Sequence, residues 1–128
     1  MLWSENYSTG VAVMDQQHKE LFQQVDILMD KSKASRIPET LDFLGKYVVS
    51  HFSTEEGLQQ KSKYPKAAQH KQLHTDFIAS YKKLRQEYDS SGQDAIILMK
   101  VTKTIMDWLK EHIRGHDKEF AQYYKSVS

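Results

Sequence analysis

The chain has 128 residues, of which 18 are Lys or Arg and 17 are Asp or Glu, so its formal net charge is +1 at pH 7. This balance excludes a nucleic-acid binder held mainly by bulk positive charge. The absence of cysteine excludes disulfides, thiol catalysis, iron–sulfur clusters and cysteine-ligated zinc. No apolar run approaches the roughly 18 residues that a membrane span needs.

The composition, with 39% hydrophobic and 27% charged residues, is typical of a soluble globular protein. The length predicts one domain over residues 1–128 that buries its own core. The first ten residues have no basic flank and no apolar core, so we expect no export signal and a cytoplasmic location. The well-charged sequence favours a monomer.

Apolar residues recur at helical spacing in four long segments that follow an extended N-terminal arm, Met1–Met14. Asp15 is predicted to be the N-cap of the first helix, while Pro38 and Pro65 open the second and third. Gly115 is predicted to terminate the fourth. The four helices are predicted over residues 16–31, 38–61, 65–89 and 93–115. Because short loops force neighbouring helices to run antiparallel, the pattern predicts an all-α, up-down-up-down four-helix bundle.

Five of the six histidines are distributed over all four predicted helices. His51 and Glu55 lie four residues apart, as do His70 and His74, so each pair projects from one helix face at the edge of an apolar stripe. A lone histidine on such a face is more often a satisfied core residue than a metal ligand. Five imidazoles and two carboxylates in one bundle interior would leave many polar groups without partners unless a metal is bound.

The end of the fourth helix adds His112 and, across Gly115, Asp117, which we expect to turn back toward the other histidines. The predicted ligands are therefore His18, His51, Glu55, His70, His74, His112 and Asp117. Seven ligands are too many for one tetrahedral zinc ion and suit two metal ions that share bridging carboxylates. Imidazole and carboxylate ligands together favour borderline ions, among which iron accepts five or six ligands.

Five motifs in this order resemble those of the hemerythrin-like proteins, and specifically the single-domain bacteriohemerythrins. The motifs are Trp3 with Tyr7 and Gly10, DQQH at 15–18, HFSTEE at 51–56, Tyr64-Pro65 ahead of HKQLH at 70–74, and HIRGHD at 112–117. A single HxxxH is common, but this ordered set over nearly the whole chain is specific.

The resemblance implies a non-haem di-iron centre with an oxo or hydroxo bridge. It implies that His70, His74 and His112 bind one iron. It also implies that His18 and His51 bind the other, which keeps an open position. Glu55 and Asp117 would bridge both irons. The family's apolar oxygen pocket matches Leu21, Phe52, Trp108, Leu109 and Ile113, residues that any bundle core would also need at this spacing.

The function that the resemblance implies is reversible binding of dioxygen by a carrier, store or buffer rather than catalysis by an enzyme. A dry apolar pocket slows proton entry and so favours reversibility. Neutral histidine ligands disfavour high iron oxidation states, which favours oxygen binding over oxygen activation. The alternatives are a di-iron redox enzyme, or a sensor of oxygen or iron, acting on dioxygen, peroxide or nitric oxide.

Four further positions depart from this pattern or support it weakly. His116 is an additional histidine that we expect at the surface. Gln59 either hydrogen-bonds inside the protein or faces water. Glu56 is expected to be exposed or to support a ligand from outside, and Asp15 to pair with the second ring nitrogen of His18.

Overall fold

The computed structural model describes residues 3–127, and every regular element in that range is helical. Each long helix packs on the next, and the first also packs on the fourth, which closes the bundle. The predicted all-α four-helix bundle is therefore confirmed. The helices are α1 (Ala12–Met29), α2 (Ile37–Lys61), α3 (Ala67–Ser90), α4 (Ala95–His112) and a shorter α5 (Lys118–Val127).

Local sequence signals account for two of the helix starts. Pro38 lies in the first turn of α2, where its missing N–H costs no helical hydrogen bond. Asp94 is the N-cap of α4, and its carboxylate accepts hydrogen bonds from the backbone N–H groups of Ile96 and Ile97.

The N-terminal arm is only partly extended, because residues Glu5–Tyr7 form a 3₁₀ turn and α1 begins at Ala12. The prediction that Asp15 caps α1 is wrong. Asp15 lies inside α1, where its carboxylate accepts hydrogen bonds from the backbone N–H and hydroxyl of Thr9. The arm packs against the bundle, since Trp3 and Tyr7 contact the main core.

The prediction that Gly115 terminates the fourth helix is also wrong. Residues Ile113–Asp117 form a π-helical turn, in which the N–H of Lys118 donates to the carbonyl of Ile113, and the chain continues into α5. Phe120 and Ala121 of α5 are fully buried. Their burial stabilises the continuation of the helix past Gly115, which the glycine by itself would not predict.

The buried apolar residues form two clusters. The larger one fills the bundle and includes Phe22, Leu41 and Val101. The smaller one joins α5 to the start of α1 and contains Met14, Phe120 and their neighbours. Along α1, the buried His18 lies between Met14 of the smaller cluster and Leu21 of the larger one. No helix within residues 3–127 has both the length and the apolar character that crossing a membrane requires.

Candidate metal centre

All seven predicted ligand residues are buried and lie together in the bundle interior. Each of the four long helices contributes at least one imidazole. Their ligand atoms form two sets, and within each set these atoms lie within 4.8 Å of one another. The larger set is Glu55, His70, His74, His112 and Asp117, and the smaller set is His18, His51, Glu55 and Asp117.

Glu55 divides its two carboxylate oxygens between the two sets. Oε2 lies 2.9 Å from Nε2 of His51 and 3.2 Å from Nε2 of His18. Oε1 lies 3.4 Å from Nε2 of both His70 and His74. One carboxylate therefore faces two separate groups of imidazoles.

Asp117, near the C-terminus, divides its two carboxylate oxygens in the same way. Its Oδ2 lies 3.1 Å from Nε2 of His18, and its Oδ1 lies 3.1 Å from Nε2 of both His70 and His112. The two carboxylates are thus common to both sets, and they are arranged as two bridging ligands would be.

The π-helical turn brings Asp117 into the centre. In a regular α-helix, residues five apart are rotated by about 140° around the axis, so Asp117 and His112 would lie on different faces. A π turn accommodates one additional residue, and such turns are frequent at functional sites. Both side chains consequently face the same interior.

The second ring nitrogens of two histidines have acceptors outside the centre. Nδ1 of His51 lies 2.7 Å from Oε1 of Gln17, and Nδ1 of His74 lies 2.9 Å from Oε2 of Glu56. An imidazole that donates from Nδ1 presents its Nε2 lone pair to the interior, the form in which histidine binds a metal.

The electrostatics of the site favour positive charge. Burial alone would lower the pKa of His18, but the carboxylates of Asp117 and Glu55 raise it to about 9. Burial likewise opposes ionisation of Glu55, yet the surrounding imidazoles, His51 first, hold its pKa well below its ordinary value. The pKa of Asp117 is lowered in the same way by His112 and His18, against burial and the nearby Glu55. Two ionised carboxylates in a buried site attract a cation.

Aromatic rings cover the imidazoles on the side of the main core. Phe52 stacks on His74 with ring centroids 3.8 Å apart, and Trp108 stacks on His112 at 4.2 Å. Phe52, Leu21, Leu109 and Ile113 are buried, whereas Trp108 is partly buried. A cavity of about 10 Å³ lies in the adjoining core, and Leu21 and Leu109 line it.

Glu56 contacts Nδ1 of the predicted ligand His74, which agrees with the predicted role of supporting a ligand from outside. His116 is exposed, as expected. Asp15 does not pair with His18, whose Nδ1 is buried without a hydrogen-bond partner. Gln59 is buried, and neither atom of its amide has a partner. No local spacing signals the contact of Gln17 with His51, since the two residues lie 34 positions apart in the sequence.

The donor set fits metal ions better than it fits a network of hydrogen bonds. Both oxygens of Asp117 and Oε1 of Glu55 are buried and make no hydrogen bond, although imidazole nitrogens lie within 3.4 Å of them. Nε2 of His112 also lies 3.0 Å from Nε2 of His70 and 3.2 Å from that of His74. Imidazole nitrogens this close to one another and to two carboxylates, with few hydrogen bonds among them, are typical of the donor set of a metal-binding four-helix-bundle protein.

Known proteins share both the fold and the sequence pattern. The family model of the hemerythrin HHE cation binding domain matches residues 9–124. The chain is 30% identical to the bacteriohemerythrin of Stenotrophomonas maltophilia (strain R551-3), over 98% of this chain and 82% of that protein. It is 31% identical to the myohemerythrin of Sipunculus nudus, over 93% of this chain and 89% of the relative.

Solved structures agree with this result. A crystal structure of wild-type hemerythrin matches with a TM-score of 0.84 and 33% identity, covering 97% of both chains. The chain therefore belongs to the hemerythrin family.

Proposed function

We propose that the protein binds dioxygen reversibly at a non-haem di-iron centre and acts as a carrier, store or buffer of oxygen. The observation that carries this proposal is the division of Glu55 and Asp117 between two donor sets of unequal size. Shared carboxylates can bridge two metal ions. The ion with fewer protein ligands then keeps a position at which a small ligand can bind.

In this proposal His70, His74 and His112 hold one iron, and His18 and His51 hold the other. Glu55 and Asp117 would be the residues shared by both irons, and an oxo or hydroxo group would complete the centre. The first iron then has five protein donors and the second has four. Because iron accepts five or six ligands, the second iron keeps room for dioxygen.

A pair of ferrous ions would supply the binding position for dioxygen and the two electrons that its reversible reduction requires. The surrounding side chains of the protein exclude water from this position. Phe52 and Trp108 cover two ligand rings, while the oxygen pocket is completed by Leu21, Leu109 and Ile113. Entry of protons and solvent would make oxygen binding irreversible. Apolar walls slow this entry.

The balance of ligands supports a carrier rather than an enzyme. Five of the seven donors are imidazoles, and carboxylate-rich di-iron bundles have a different motif, Glu-x-x-His, that is absent from this sequence. The relatives named above are a bacteriohemerythrin and a myohemerythrin, which supports the same choice. A monomeric state and a cytoplasmic location stay predictions from the sequence.

The test is a visible absorption spectrum of the anaerobically iron-loaded, reduced protein before air, after air and after removal of the oxygen. Iron is counted on the same sample. We expect two irons per chain and a colour that appears in air and fades when oxygen is removed. The isosteric variant Glu55→Gln, which lacks one bridging carboxylate, is expected to hold less iron while its helical circular dichroism persists.

Two outcomes contradict the proposal. A colour that forms once and never reverses, with two irons per chain, would favour the redox enzyme or the sensor. A protein that binds no iron and shows no colour would refute the di-iron centre itself.

A further inference from the structure

The seven ligand residues are not equally remote from solvent. His18, Glu55 and Asp117 have no exposed surface, whereas His70 and His112 each keep 4% of theirs. These two histidines are adjacent to His116, whose ring centroid lies 6.3 Å from that of His70 and 5.4 Å from that of His112. The two most exposed of the seven residues therefore both lie next to His116.

A surface groove reaches this part of the wall. Its volume is about 390 Å³, and its lining includes the ligand His70 together with His116, Gly115 and the carboxylate of Glu119, which lies 3.1 Å from the ammonium of Lys66. All six histidines lie within residues 3–127, and among them His116 alone is exposed and outside the donor sets. The groove thus brings solvent, one exposed imidazole and one buried candidate ligand together on one surface.

We propose that this groove is the route by which metal ions reach the centre and that His116 is their first protein ligand. This inference rests on the proposed function, because it concerns how the di-iron centre is filled. A hydrated ferrous ion must exchange water for protein ligands before it enters a site whose ligands are 0–4% exposed. Because the exposed imidazole of His116 is adjacent to two ligands, it lets the ion exchange its water molecules for protein ligands in steps.

The glycine beside His116 suits such an opening. A Cβ added at Gly115 would meet no atom within 4 Å, so the space above this residue is open. Gly115 lines the groove and lies between His112 and His116 in the sequence. A side chain at this position would enter the groove without disturbing packed neighbours.

The experiment measures the rate of metal uptake by metal-free protein under anaerobic conditions, separately from the final metal content. Stopped-flow absorption follows the d–d bands of Co²⁺, and competition with a chromophoric chelator follows Fe²⁺. His116→Ala is expected to slow uptake at least several-fold and to leave the final two metal ions per chain unchanged. His116→Asp, which restores a metal ligand, is expected to recover most of the rate.

Two further variants test the groove rather than the imidazole. Gly115→Leu is expected to slow uptake, whereas Gly115→Ala, with a much smaller side chain, is expected to load at nearly the wild-type rate. Arg114→Gln is the matched control for His116, since Arg114 is an exposed residue on the same turn whose guanidinium lies over the ring of Tyr7 instead.

The outcomes separate this inference from the proposed function. Wild-type uptake rates in His116→Ala or in Gly115→Leu would overturn the entry route even if both variants bind two irons and oxygen normally. Equal slowing in His116→Ala and His116→Asp would overturn the role of His116 as a ligand. Failure of every form to bind metal would overturn the proposed function and, with it, the entry route.

Discussion

Oε2 of Glu56 lies 2.9 Å from Nδ1 of His74, on the side of the imidazole that faces away from the metal centre. The contact joins α2 to α3 and orients the ring whose Nε2 lies within 3.4 Å of Glu55. A carboxylate in this position fixes the tautomer of the histidine and raises its basicity as a metal ligand.

Replacing Glu56 by Gln is expected to weaken metal binding, because a neutral amide stabilises the metal-bound imidazole less than a carboxylate does. Loss of such a partner costs about 10- to 100-fold in metal affinity. Competition with a chelator of known Co²⁺ affinity measures the effect. Glu39→Gln, an exposed residue in the first turn of the same helix, is the control and should bind as the wild type does.

Replacing Gln17 by Leu should weaken one donor set more than the other. Gln17 accepts from His51, which belongs to the set with fewer protein donors. A Co²⁺ titration is expected to change from two tight equivalents to one tight and one roughly tenfold weaker equivalent. The neighbouring exposed Gln16 provides the control variant Gln16→Leu. Equal weakening of both equivalents would contradict the assignment of Gln17 to a single set.

Two glycines of α2 are expected to respond differently to alanine. A Cβ at Gly57 would meet no atom within 4 Å, so Gly57→Ala should stabilise the fold by about 0.5 to 1 kcal/mol through helix propensity. A Cβ at Gly45 would lie 3.2 Å from Cε2 of Tyr81, a ring held by the hydrogen bond of its hydroxyl to the carbonyl of Leu41.

Gly45→Ala should therefore gain less stability than Gly57→Ala, or lose some, because the Tyr81 ring cannot move away freely. Urea unfolding of both variants at the same metal content gives the two free energies of unfolding. An equal gain at both positions would show that the ring yields to the added methyl group.

The hydrogen bonds of Asp15 predict a pH-dependent contribution to stability. Burial raises the pKa of Asp15, but hydrogen bonds from Thr9 and Ser8 outweigh it and lower the pKa below its ordinary value. A carboxyl with a lowered folded-state pKa stabilises the fold above its unfolded-state pKa, and this stabilisation is lost as the pH falls through the folded-state pKa.

Asp15→Asn should consequently be less stable than the wild type by about 1 kcal/mol at neutral pH, since the hydrogen bonds lose their ionic partner. The difference should shrink below the ordinary Asp pKa of about 3.9. Urea unfolding of metal-free wild type and variant across this pH range provides the measurement. A difference that stays constant with pH would mean that the carboxylate charge does not matter.

Local sequence patterns predicted the four long helices and the candidate ligands, although the prediction that Pro65 opens the third helix is wrong, because Pro65 lies in the turn before α3, which begins at Ala67. The i, i+4 spacing of His51 with Glu55 and of His70 with His74 follows from helix geometry, so it could be interpreted without the other helices. Helix N-termini near Pro38 and Asp94 depend on adjacent residues only, and they were predicted within two residues.

The beginning of α1 and the end of α4 depended on distant contacts. Asp15 does not cap α1, because this helix already begins at Ala12. Its carboxylate instead accepts a hydrogen bond from the hydroxyl of Thr9, which precedes the helix. Gly115 has a sequence signature of helix termination, yet burial of Phe120 against Met14 and its neighbours favours continuation into α5. Long-range packing of this kind is not encoded in a local residue pattern.

The sequence by itself determined that this protein is a helical bundle with seven candidate metal-ligand side chains, because helical periodicity and residue type are local properties. Only the tertiary structure decided how those side chains are shared. The π turn rotates Asp117 into the centre, Glu55 and Asp117 divide their oxygens between two groups of imidazoles, and Gln17 reaches His51 from another helix. Each of these relations depends on the relative positions of separate helices, which are set by the packing of the whole core.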